Sequence, residues 1–365
     1  MTRALDSELI RRALANAEKG WGHTAPNPMV GAVVVSGGEV VADGWHRSFG
    51  GPHAEINALN DSGARAQGAT MYVTLEPCTH HGKTPPCTDA IIAAGIERVV
   101  IAVRDPNPLA RGGVEKLRAA GIQVDVGVEA ERAIEINAPF FHAFVSDRPW
   151  VTLKLAVSAD GKVADPTGQR RWITGEESRR EVHRMRAGAD AVAVGIGTVI
   201  ADDPELTVRD APLPRRQPTR VIFDSRLRTP LTAKVVRGAR VVPTVIVTRD
   251  STLDAAQLFR DRGVQVIDAP SLGRALLALR AIDVRSLLLE GGPTLAGSFI
   301  REGLVDRLAL FQAPVLLGDD APNAFDHAPP RFSQRLTTYP MLQRRPFGSD
   351  TLTIYATNEG GALEP

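Results

Sequence analysis

Three potential ligands for a transition metal, His53, Cys78 and Cys87, lie in one short stretch of the sequence, and these two cysteines are the only ones in the chain. A zinc ion that activates water takes about three protein ligands and keeps one position open. Glu55 follows the histidine closely, is not needed as a ligand, and is free to transfer protons. These four residues predict a zinc centre for hydrolytic chemistry.

Each of these residues alone has an ordinary explanation. A single histidine is usually a core or surface residue, and two cysteines are usually buried small hydrophobic side chains. A disulfide is not indicated, because the sequence shows no secretory context. The combination instead favours the arrangement of the zinc deaminases, in which zinc-activated water attacks an amino-bearing ring carbon and a glutamate outside the ligand set acts as acid and base.

The spacing of the cysteines differs from the commoner Cys-x-x-Cys arrangement of zinc deaminases. The longer segment from Thr79 to Pro86 separates them here, and it carries His80, His81 and Lys83. These side chains are polar and able to face a substrate. The alternative that His80 or His81 replaces a cysteine as a ligand stays open from the spacing alone.

Composition limits the choice of fold and partner. A chain of 365 residues exceeds one ordinary core, so two domains are expected. A net charge of +1 without a long basic run argues against nucleic acid as the main partner, and 5% aromatic residues leave little for base stacking. The sequence shows neither an apolar stretch of the ~20 residues that a membrane span needs nor the apolar core of a signal peptide. These features predict a cytoplasmic protein.

The first half alternates predicted strands and helices, which favours a mixed or largely parallel sheet between helices. His53 and Cys87 fall at helix starts and Cys78 just after a strand, and a helix N-terminus favours a thiolate. Asn27 and His46 flank a hairpin, where turn and surface chemistry is their ordinary explanation. The predicted helices cover 7–19, 54–66, 86–94, 114–120 and 129–145, the hairpin covers 29–44, and the strands cover 70–75, 98–103 and 122–128.

The second half, beginning near residue 146, contains two glycine-bearing turns that follow apolar strands, at 195–198 and 290–298. As a Rossmann fingerprint the first is poor, because Ile200 stands where the third glycine is expected. Together, however, the two turns predict a site for both halves of one dinucleotide, because small residues let backbone N–H groups approach a pyrophosphate. Candidate phosphate ligands are Arg171, Arg179, Arg186 and Arg209. The predicted strands cover 150–157, 190–194, 219–224, 243–249, 286–289, 306–312 and 351–356.

Several strings of residues in both halves resemble the bifunctional deaminase–reductases of riboflavin biosynthesis, and the resemblance covers nearly the whole chain. The long segment between the cysteines is a feature of that family. The strings are Pro26-Asn27-Pro28-x-Val30-Gly31, Pro52-His53-Ala54-Glu55, Thr74-Leu75-Glu76-Pro77-Cys78-x-His80-His81-Gly82, Thr84-Pro85-Pro86-Cys87, Leu153-Lys154-Leu155, Asp160-Gly161, Trp172-Ile173-Thr174, Ala201-Asp202-Asp203-Pro204-x-Leu206-Thr207-x-Arg209 and Glu290-x-Gly292-Pro293-Thr294-Leu295.

The resemblance implies an α/β protein with two domains. A cytidine-deaminase-like α/β/α sandwich is expected over residues 1–146, a dihydrofolate-reductase-like α/β domain over residues 147–358, and a loose tail over residues 359–365. The implied activity is a zinc-dependent deamination of a diaminopyrimidinone ribose 5′-phosphate, followed by an NADPH-dependent reduction of its ribosyl group to ribityl phosphate. The substrate is a small molecule, and a homo-oligomer is expected.

The resemblance also implies roles for individual residues. Zinc would be held by His53, Cys78 and Cys87, with Glu55 as the proton carrier. NADPH contacts are expected at Ala156, Trp172, Thr198, Asp202, Ser225, Gly292, Pro293, Thr294, Leu295, Ala296, Gly297 and Ser298. Substrate contacts are expected at Arg170, Arg186, Leu206, Arg209 and Glu290, with Asn27, His46, Lys83 and Lys154 as further candidates.

Two alternatives compete with this interpretation. The first is a nucleoside or nucleic-acid base deaminase fused to an unrelated nucleotide-binding domain, against which the near-neutral charge and the glycine-rich second half speak. The second is a protein whose zinc only supports the fold. A structural zinc site usually has four protein ligands and no spare glutamate, so Glu55 discriminates against it.

Overall fold

The computed structural model describes residues 3–81, 85–167, 172–252, 254–325 and 339–357. The chain divides after Val145 into two compact units. Lys83, Arg170, Arg171 and the tail from 359 to 365 lie outside the described residues. Among the described residues, none of the helices combines the length and apolar composition needed to cross a bilayer.

The first unit is built on a five-stranded mixed sheet in the order β2-β1-β3-β4-β5. Strand β1 pairs antiparallel with β2 and β3, whereas β3, β4 and β5 run parallel. The strands are β1 (Gly31–Ser36), β2 (Glu39–Trp45), β3 (Thr70–Val73), β4 (Arg98–Ile101) and β5 (Gln123–Val126). The helices are α1 (Arg3–Glu18), α2 (Ala54–Ser62), α3 (Cys87–Ala93), α4 (Gly113–Ala119), α5 (Ala130–Ile136) and α6 (Ala138–His142).

Side chains on this sheet alternate between two cores, because successive residues of a strand face opposite ways. Val33 and Tyr72 pack in one core with Leu14 of α1. Val34 and Met71 pack in the other, which α2, α3 and α4 cover. The sheet therefore lies between two helical layers, as the sequence pattern predicts.

The prediction of one helix over residues 129–145 is wrong, because the structure has two helices that break at Asn137. The Asn137 carboxamide donates to the Met29 carbonyl at 2.9 Å and accepts from the Met29 amide at 2.8 Å. Pro139 follows and has no N–H to continue the helical ladder. A long-range contact and a local proline together set this break.

The second unit is built on a nine-stranded sheet in the order β10-β9-β8-β7-β11-β6-β12-β14-β13. The strands from β10 to β12 run parallel, and β14 and β13 add an antiparallel edge. The strands are β6 (Trp150–Val157), β7 (Ala191–Gly195), β8 (Thr219–Phe223), β9 (Thr244–Thr248), β10 (Gln265–Asp268), β11 (Ser286–Leu289), β12 (Arg307–Gln312), β13 (Met341–Phe347) and β14 (Asp350–Ala356). The helices are α7 (Glu176–Ala187), α8 (Ile196–Asp202), α9 (Lys234–Arg237), α10 (Asp254–Arg260), α11 (Leu272–Ala281) and α12 (Pro293–Arg301).

The carboxyl ends of β6, β7, β8 and β11 meet at one edge of this sheet because these strands are parallel. In open parallel sheets, ligands bind in the crevice outside those ends. Both glycine-bearing turns lie there, since β7 and β11 are direct neighbours. The two turns that are distant in sequence are thereby brought side by side.

Candidate active sites

In the first unit, His53, Cys78 and Cys87 form a cluster whose ligand atoms all lie within 4.8 Å of one another. His53 Nδ1 is 3.2 Å from Cys87 Sγ and 3.6 Å from Cys78 Sγ. A tetrahedral zinc ion with ordinary bond lengths separates a nitrogen and a sulfur ligand by about 3.6 Å. The three side chains therefore fit zinc in both ligand type and spacing.

The helices and strands place each ligand through local structure. His53 is the N-cap of α2, Cys87 is the first residue of α3, and Cys78 follows β3. The Cys87 backbone amide points at Cys78 Sγ at 3.5 Å, so the start of α3 supports a thiolate there. A hydrogen bond from the Cys87 thiol is the largest cause that lowers the pKa of Cys78. The predicted positions, two at helix starts and one after a strand, are confirmed.

Glu55 lies in the first turn of α2 and is 3% exposed. Its Oε2 has no hydrogen-bond partner among the described residues. Burial raises the pKa of Glu55 to about 7, against the opposing charge of His53. A buried carboxylate with a free oxygen beside three zinc-ligand side chains is equipped to accept and return a proton near neutral pH.

A second buried carboxylate, Glu76, has a different role. Its oxygens accept hydrogen bonds from the backbone amides of Asp105, Gly112 and Val114 at 3.0–3.2 Å. Ala110 in the same loop packs against both cysteines. Glu76 therefore fixes the loop that lines the ligand cluster. The sequence shows that Glu76 precedes the Pro-Cys dipeptide, but only the fold shows which backbone amides its carboxylate binds.

Asn27 and His46, two of the predicted substrate contacts, lie beside the cluster. The His46 ring is 5.5 Å from that of His53 in an edge-to-face arrangement. His46 Nδ1 donates to the Pro52 carbonyl at 3.0 Å, which leaves Nε2 free to accept from the Asn27 carboxamide at 3.4 Å. Burial lowers the pKa of His46 and favours its neutral form.

His80 and His81, two further polar residues between the cysteines, are not part of the cluster. His80 and His81 are exposed, and within the part of the chain that the structure describes the metal-ligand cluster contains neither. The alternative in which one of them replaces a cysteine is therefore wrong for this geometry. Lys83 lies outside the described residues.

In the second unit, a cleft of about 1380 Å³ opens at the carboxyl ends of the parallel strands. Five residues that are predicted to contact the substrate line this cleft, namely Arg186, Leu206, Arg209, Glu290 and Lys154. The predicted cofactor contacts that line it are Ala156, Trp172, Thr198, Asp202, Ser225, Gly292, Pro293, Thr294, Leu295 and Ser298.

The two remaining predicted cofactor contacts, Ala296 and Gly297, lie on the buried face of α12. Ala296 packs in the main core of the unit. These small residues let the helix approach the sheet, while its first turn faces the cleft. Arg170 lies outside the described residues.

The Arg186 guanidinium forms a bidentate ion pair with Glu290 at 2.6 and 2.9 Å, and both side chains are about nine-tenths buried. Burial opposes ionisation of Glu290, but Arg186 lowers its pKa on balance. Lys154 faces the same pair from β6, and burial lowers its pKa. The three residues form a charged group on the wall of the cleft.

The loop from 203 to 210 carries Leu206 and Arg209. Leu206 has a positive φ of 54°, so the loop turns sharply there. Arg186 donates to the Thr207 carbonyl at 3.1 Å, and the Arg209 guanidinium lies 2.9 Å from Glu205. Arg209 is half exposed to the cleft, where its planar group can take a phosphate.

Several cleft residues carry no sequence signal that distinguishes them from surface residues. Arg228, Arg249 and Arg301 line the cleft although their sequence neighbourhoods resemble ordinary polar loops and helix ends. His183 also lines it, from a charged helix in which a histidine attracts no attention. Their contribution follows from the topology that brings loops from several strands together.

Both halves of the chain match known protein families. Residues 3–103 match the family described as the cytidine and deoxycytidylate deaminase zinc-binding region, and residues 149–345 match the RibD C-terminal domain family. The riboflavin biosynthesis protein RibD of Aquifex aeolicus is 49% identical over 322 residues, covering 87% of this chain and 90% of the relative. That of Escherichia coli is 40% identical over 333 residues, covering 87% and 89%.

Two solved structures are similar to this chain over nearly its full length. Acinetobacter baumannii RibD has a TM-score of 0.86 at 37% identity, with 98% of this chain and 100% of the other covered. A Thermotoga maritima diaminohydroxyphosphoribosylaminopyrimidine deaminase/5-amino-6-(5-phosphoribosylamino)uracil reductase has a TM-score of 0.84 at 35% identity, with 98% and 99% covered.

The two folds and their sites define a zinc-dependent deaminase joined to a reductase with a dihydrofolate-reductase-like fold. The chain belongs to the RibD family, the bifunctional deaminase–reductases of riboflavin biosynthesis. The predicted fold class and bifunctional activity, and zinc and NADPH as cofactors, are confirmed. The alternative of a base deaminase fused to an unrelated domain is not favoured, because the second half matches the RibD C-terminal domain.

Proposed function

We propose that this chain catalyses the two successive reactions named for the Thermotoga maritima relative. The first half would deaminate a diaminohydroxyphosphoribosylaminopyrimidine, and the second would reduce the resulting 5-amino-6-(5-phosphoribosylamino)uracil. Identity of 35% over nearly the whole of both chains supports this assignment.

In the first reaction the bond between a ring carbon and its amino nitrogen breaks, a water oxygen takes the place of the nitrogen, and ammonia leaves. Zinc held by His53, Cys78 and Cys87 supplies a Lewis acid that lowers the pKa of water. Glu55 accepts the proton from water and returns it to the leaving nitrogen. Its pKa of about 7 suits both transfers. Asn27 and His46, beside the ligands, orient the pyrimidine.

In the second reaction the open, imine form of the sugar gains a hydride at carbon and a proton at nitrogen. NADPH supplies the hydride when it is bound along the two glycine-bearing turns. Arg209 takes the sugar phosphate as a bidentate donor. Lys154 and Glu290 contact the sugar, and Arg186 keeps Glu290 ionised and oriented in the cleft wall.

The observation that carries the deaminase assignment is the unpaired, buried Oε2 of Glu55 beside three zinc-ligand side chains. The test supplies the diaminopyrimidine ribotide with NADPH and follows ammonia release and absorbance at the same time. Equimolar ammonia and oxidised NADPH are expected, and ammonia alone when NADPH is omitted. NADPH oxidation without ammonia release, or release of ammonia from cytidine but not from the ribotide, would refute the proposal.

We also assign residues 1–146 to the deaminase domain, 147–358 to the reductase domain and 359–365 to a tail. The separate family matches to residues 3–103 and 149–345 support this assignment.

We propose that the protein is a cytoplasmic homo-oligomer. Reducing conditions keep Cys78 and Cys87 available to zinc, and the exposed Met341 and Leu342 on edge strand β13 offer apolar surface for self-association. Sedimentation of the purified protein and cell fractionation test these two points.

A further inference from the structure

His183 is a buried imidazole in the wall of the reductase cleft, and the mechanism above assigns it no role. It lies on α7, three residues before Arg186, and is 7% exposed. Residues three apart share a helix face, so His183 and Arg186 face the same loop. That loop, from 203 to 210, carries the Arg209 guanidinium.

The geometry fixes which nitrogen of His183 carries hydrogen. The Arg209 backbone amide donates to His183 Nδ1 at 3.3 Å. Nδ1 is therefore unprotonated, and the neutral ring carries its hydrogen on Nε2, which lies 3.5 Å from a carboxylate oxygen of Asp210. The ring thus acts as an acceptor for the very residue whose side chain is proposed to bind phosphate.

The loop is held at neighbouring positions as well. Arg186 donates to the Thr207 carbonyl at 3.1 Å, and the Val208 amide donates to the Gln217 side chain at 2.8 Å. His183 provides the contact at Arg209 itself. Without an acceptor there, the Arg209 amide loses this partner, and the direction in which its side chain leaves the loop is less firmly set.

The charged groups around His183 favour the neutral ring on balance. Burial lowers its pKa, and so do Arg186 on its own helix and Arg209 on the loop, while Asp210 and Glu290 act in the opposite direction. Protonation would place a hydrogen on Nδ1 against the Arg209 amide, so that two donors would face each other. The contact therefore exists only with the neutral ring.

We propose that His183 is a positioning residue that holds Arg209 for the substrate phosphate and releases it when the imidazole is protonated. This inference rests on the proposed role of Arg209. Because the folded pKa lies below the ordinary imidazole value of about 6.5, the contact is complete at neutral pH and is lost on acidification below that value.

The test compares His183→Asn with His183→Leu in the full-length protein. The Asn Oδ1 atom is as many bonds from Cα as His Nδ1, so it can accept from the Arg209 amide but does not titrate. Leu keeps apolar volume and removes the acceptor. At about pH 7.5, His183→Leu is expected to raise the KM for the deaminated ribotide about three- to tenfold, while the KM for NADPH, kcat and ammonia release stay within about twofold. His183→Asn should restore the ribotide KM.

The pH profile separates positioning from simple packing. The substrate phosphate titrates in the same pH range as an imidazole. The KM for the ribotide is therefore measured for the wild type and for His183→Asn between about pH 5 and about pH 8. The ratio of the wild-type KM to the His183→Asn KM cancels the contribution of the phosphate, because both proteins bind the same substrate. The ratio should rise on acidification, and Asp210→Asn should move the rise to lower pH. A constant ratio, or a His183→Leu variant with wild-type ribotide KM, would overturn the proposal.

The variant Arg209→Gln distinguishes failure of the proposed phosphate contact from failure of the positioning role of His183. If Arg209→Gln leaves the ribotide KM unchanged, the proposed phosphate contact is wrong. If Arg209→Gln raises that KM whereas His183→Leu does not, the phosphate contact stands and only the positioning role of His183 is refuted.

Discussion

At the scale of single residues, the proposed deaminase mechanism depends on the buried carboxylate of Glu55. The Glu55 pKa of about 7 results first from burial, which disfavours the charged form. A carboxylate with its ordinary pKa would be a weaker base and would accept the proton of water less readily. The helix start that carries His53 therefore also buries Glu55, the proposed proton carrier.

Replacing Glu55 by Gln is expected to lower ammonia release by a factor of about 10² to about 10⁴, because proton transfer is lost while the shape of the side chain is kept. Zinc content should stay at the wild-type level, since Glu55 is not one of the three ligands. Metal analysis and an ammonia assay on the same preparation check both points.

The matched control is Glu131→Gln, an exposed glutamate on α5, which should change neither quantity. A Glu55→Gln protein that deaminates at the wild-type rate would remove this residue from the mechanism. Loss of zinc together with activity would instead assign Glu55 to the metal.

The residue types of the metal site could be predicted from the sequence, because the need for His, Cys and a free Glu is chemical and local. The sequence could not show that His53 uses Nδ1, or that Glu76 holds the neighbouring loop. Both depend on backbone directions set by distant strands. The ion pair between Arg186 and Glu290 could not be predicted from the sequence for the same reason, because its partners are far apart in sequence.

At the scale of elements, helix α7 is tied to the end of β11 by the ion pair between Arg186 and Glu290. Arg186→Met should destabilise the second unit by about 3–5 kcal/mol, because it leaves a buried carboxylate without its partner. The double variant Arg186→Met with Glu290→Gln should be less destabilised than the single one. Urea unfolding of the full chain measures both, and wild-type stability of the single variant would contradict the argument.

Helix α1 is fixed to the first sheet by Asp6, which accepts from Arg98 of β4 at 2.9 and 3.0 Å and from the Tyr72 hydroxyl at 2.8 Å. The hydrogen bond from Arg98 is the main cause that lowers the pKa of Asp6. A carboxyl whose folded pKa is lowered stabilises the fold above its unfolded value, about 3.9, and this contribution is lost as pH falls through the folded value.

Asp6→Asn is therefore expected to cost about 1.5–3 kcal/mol at neutral pH and to flatten the loss of stability below about pH 4. Thermal unfolding measured from neutral to acidic pH checks the effect. Asp61→Asn, on the exposed side of α2, serves as the control and should follow the wild-type profile. Equal acid sensitivity of Asp6→Asn and wild type would show that this contact does not set the profile.

Elements were predicted well where periodicity and strand length agree, as in β6 with its strict alternation of burial. They were missed where the pattern is weak. Strand β13 contains two arginines and a proline, and it is a strand only because β14 pairs with it. The break at Asn137 likewise depends on Met29, which is distant in sequence.

At the scale of the whole molecule, the metal-ligand cluster and the cleft belong to different compact units, so we expect that each proposed reaction can be abolished separately. Gly292 has a negative φ of −67°, and a Cβ atom added there meets nothing within 4 Å, so Gly292→Val fits the backbone without strain. Its side chain would enter the cleft where the cofactor is expected. Cys87→Ser, in contrast, weakens the zinc site alone.

Gly292→Val should therefore stop NADPH oxidation, with a loss of at least about tenfold in kcat/KM, and leave ammonia release at the wild-type rate. Cys87→Ser or a chelator should stop ammonia release, while NADPH is still oxidised when the deaminated ribotide is supplied. Gly273→Val, also in open space but outside the cleft, controls for the added side chain. If either variant abolished both activities while the protein remained folded, the two reactions would have to share residues, because independent sites in separate units cannot be lost together through one substitution.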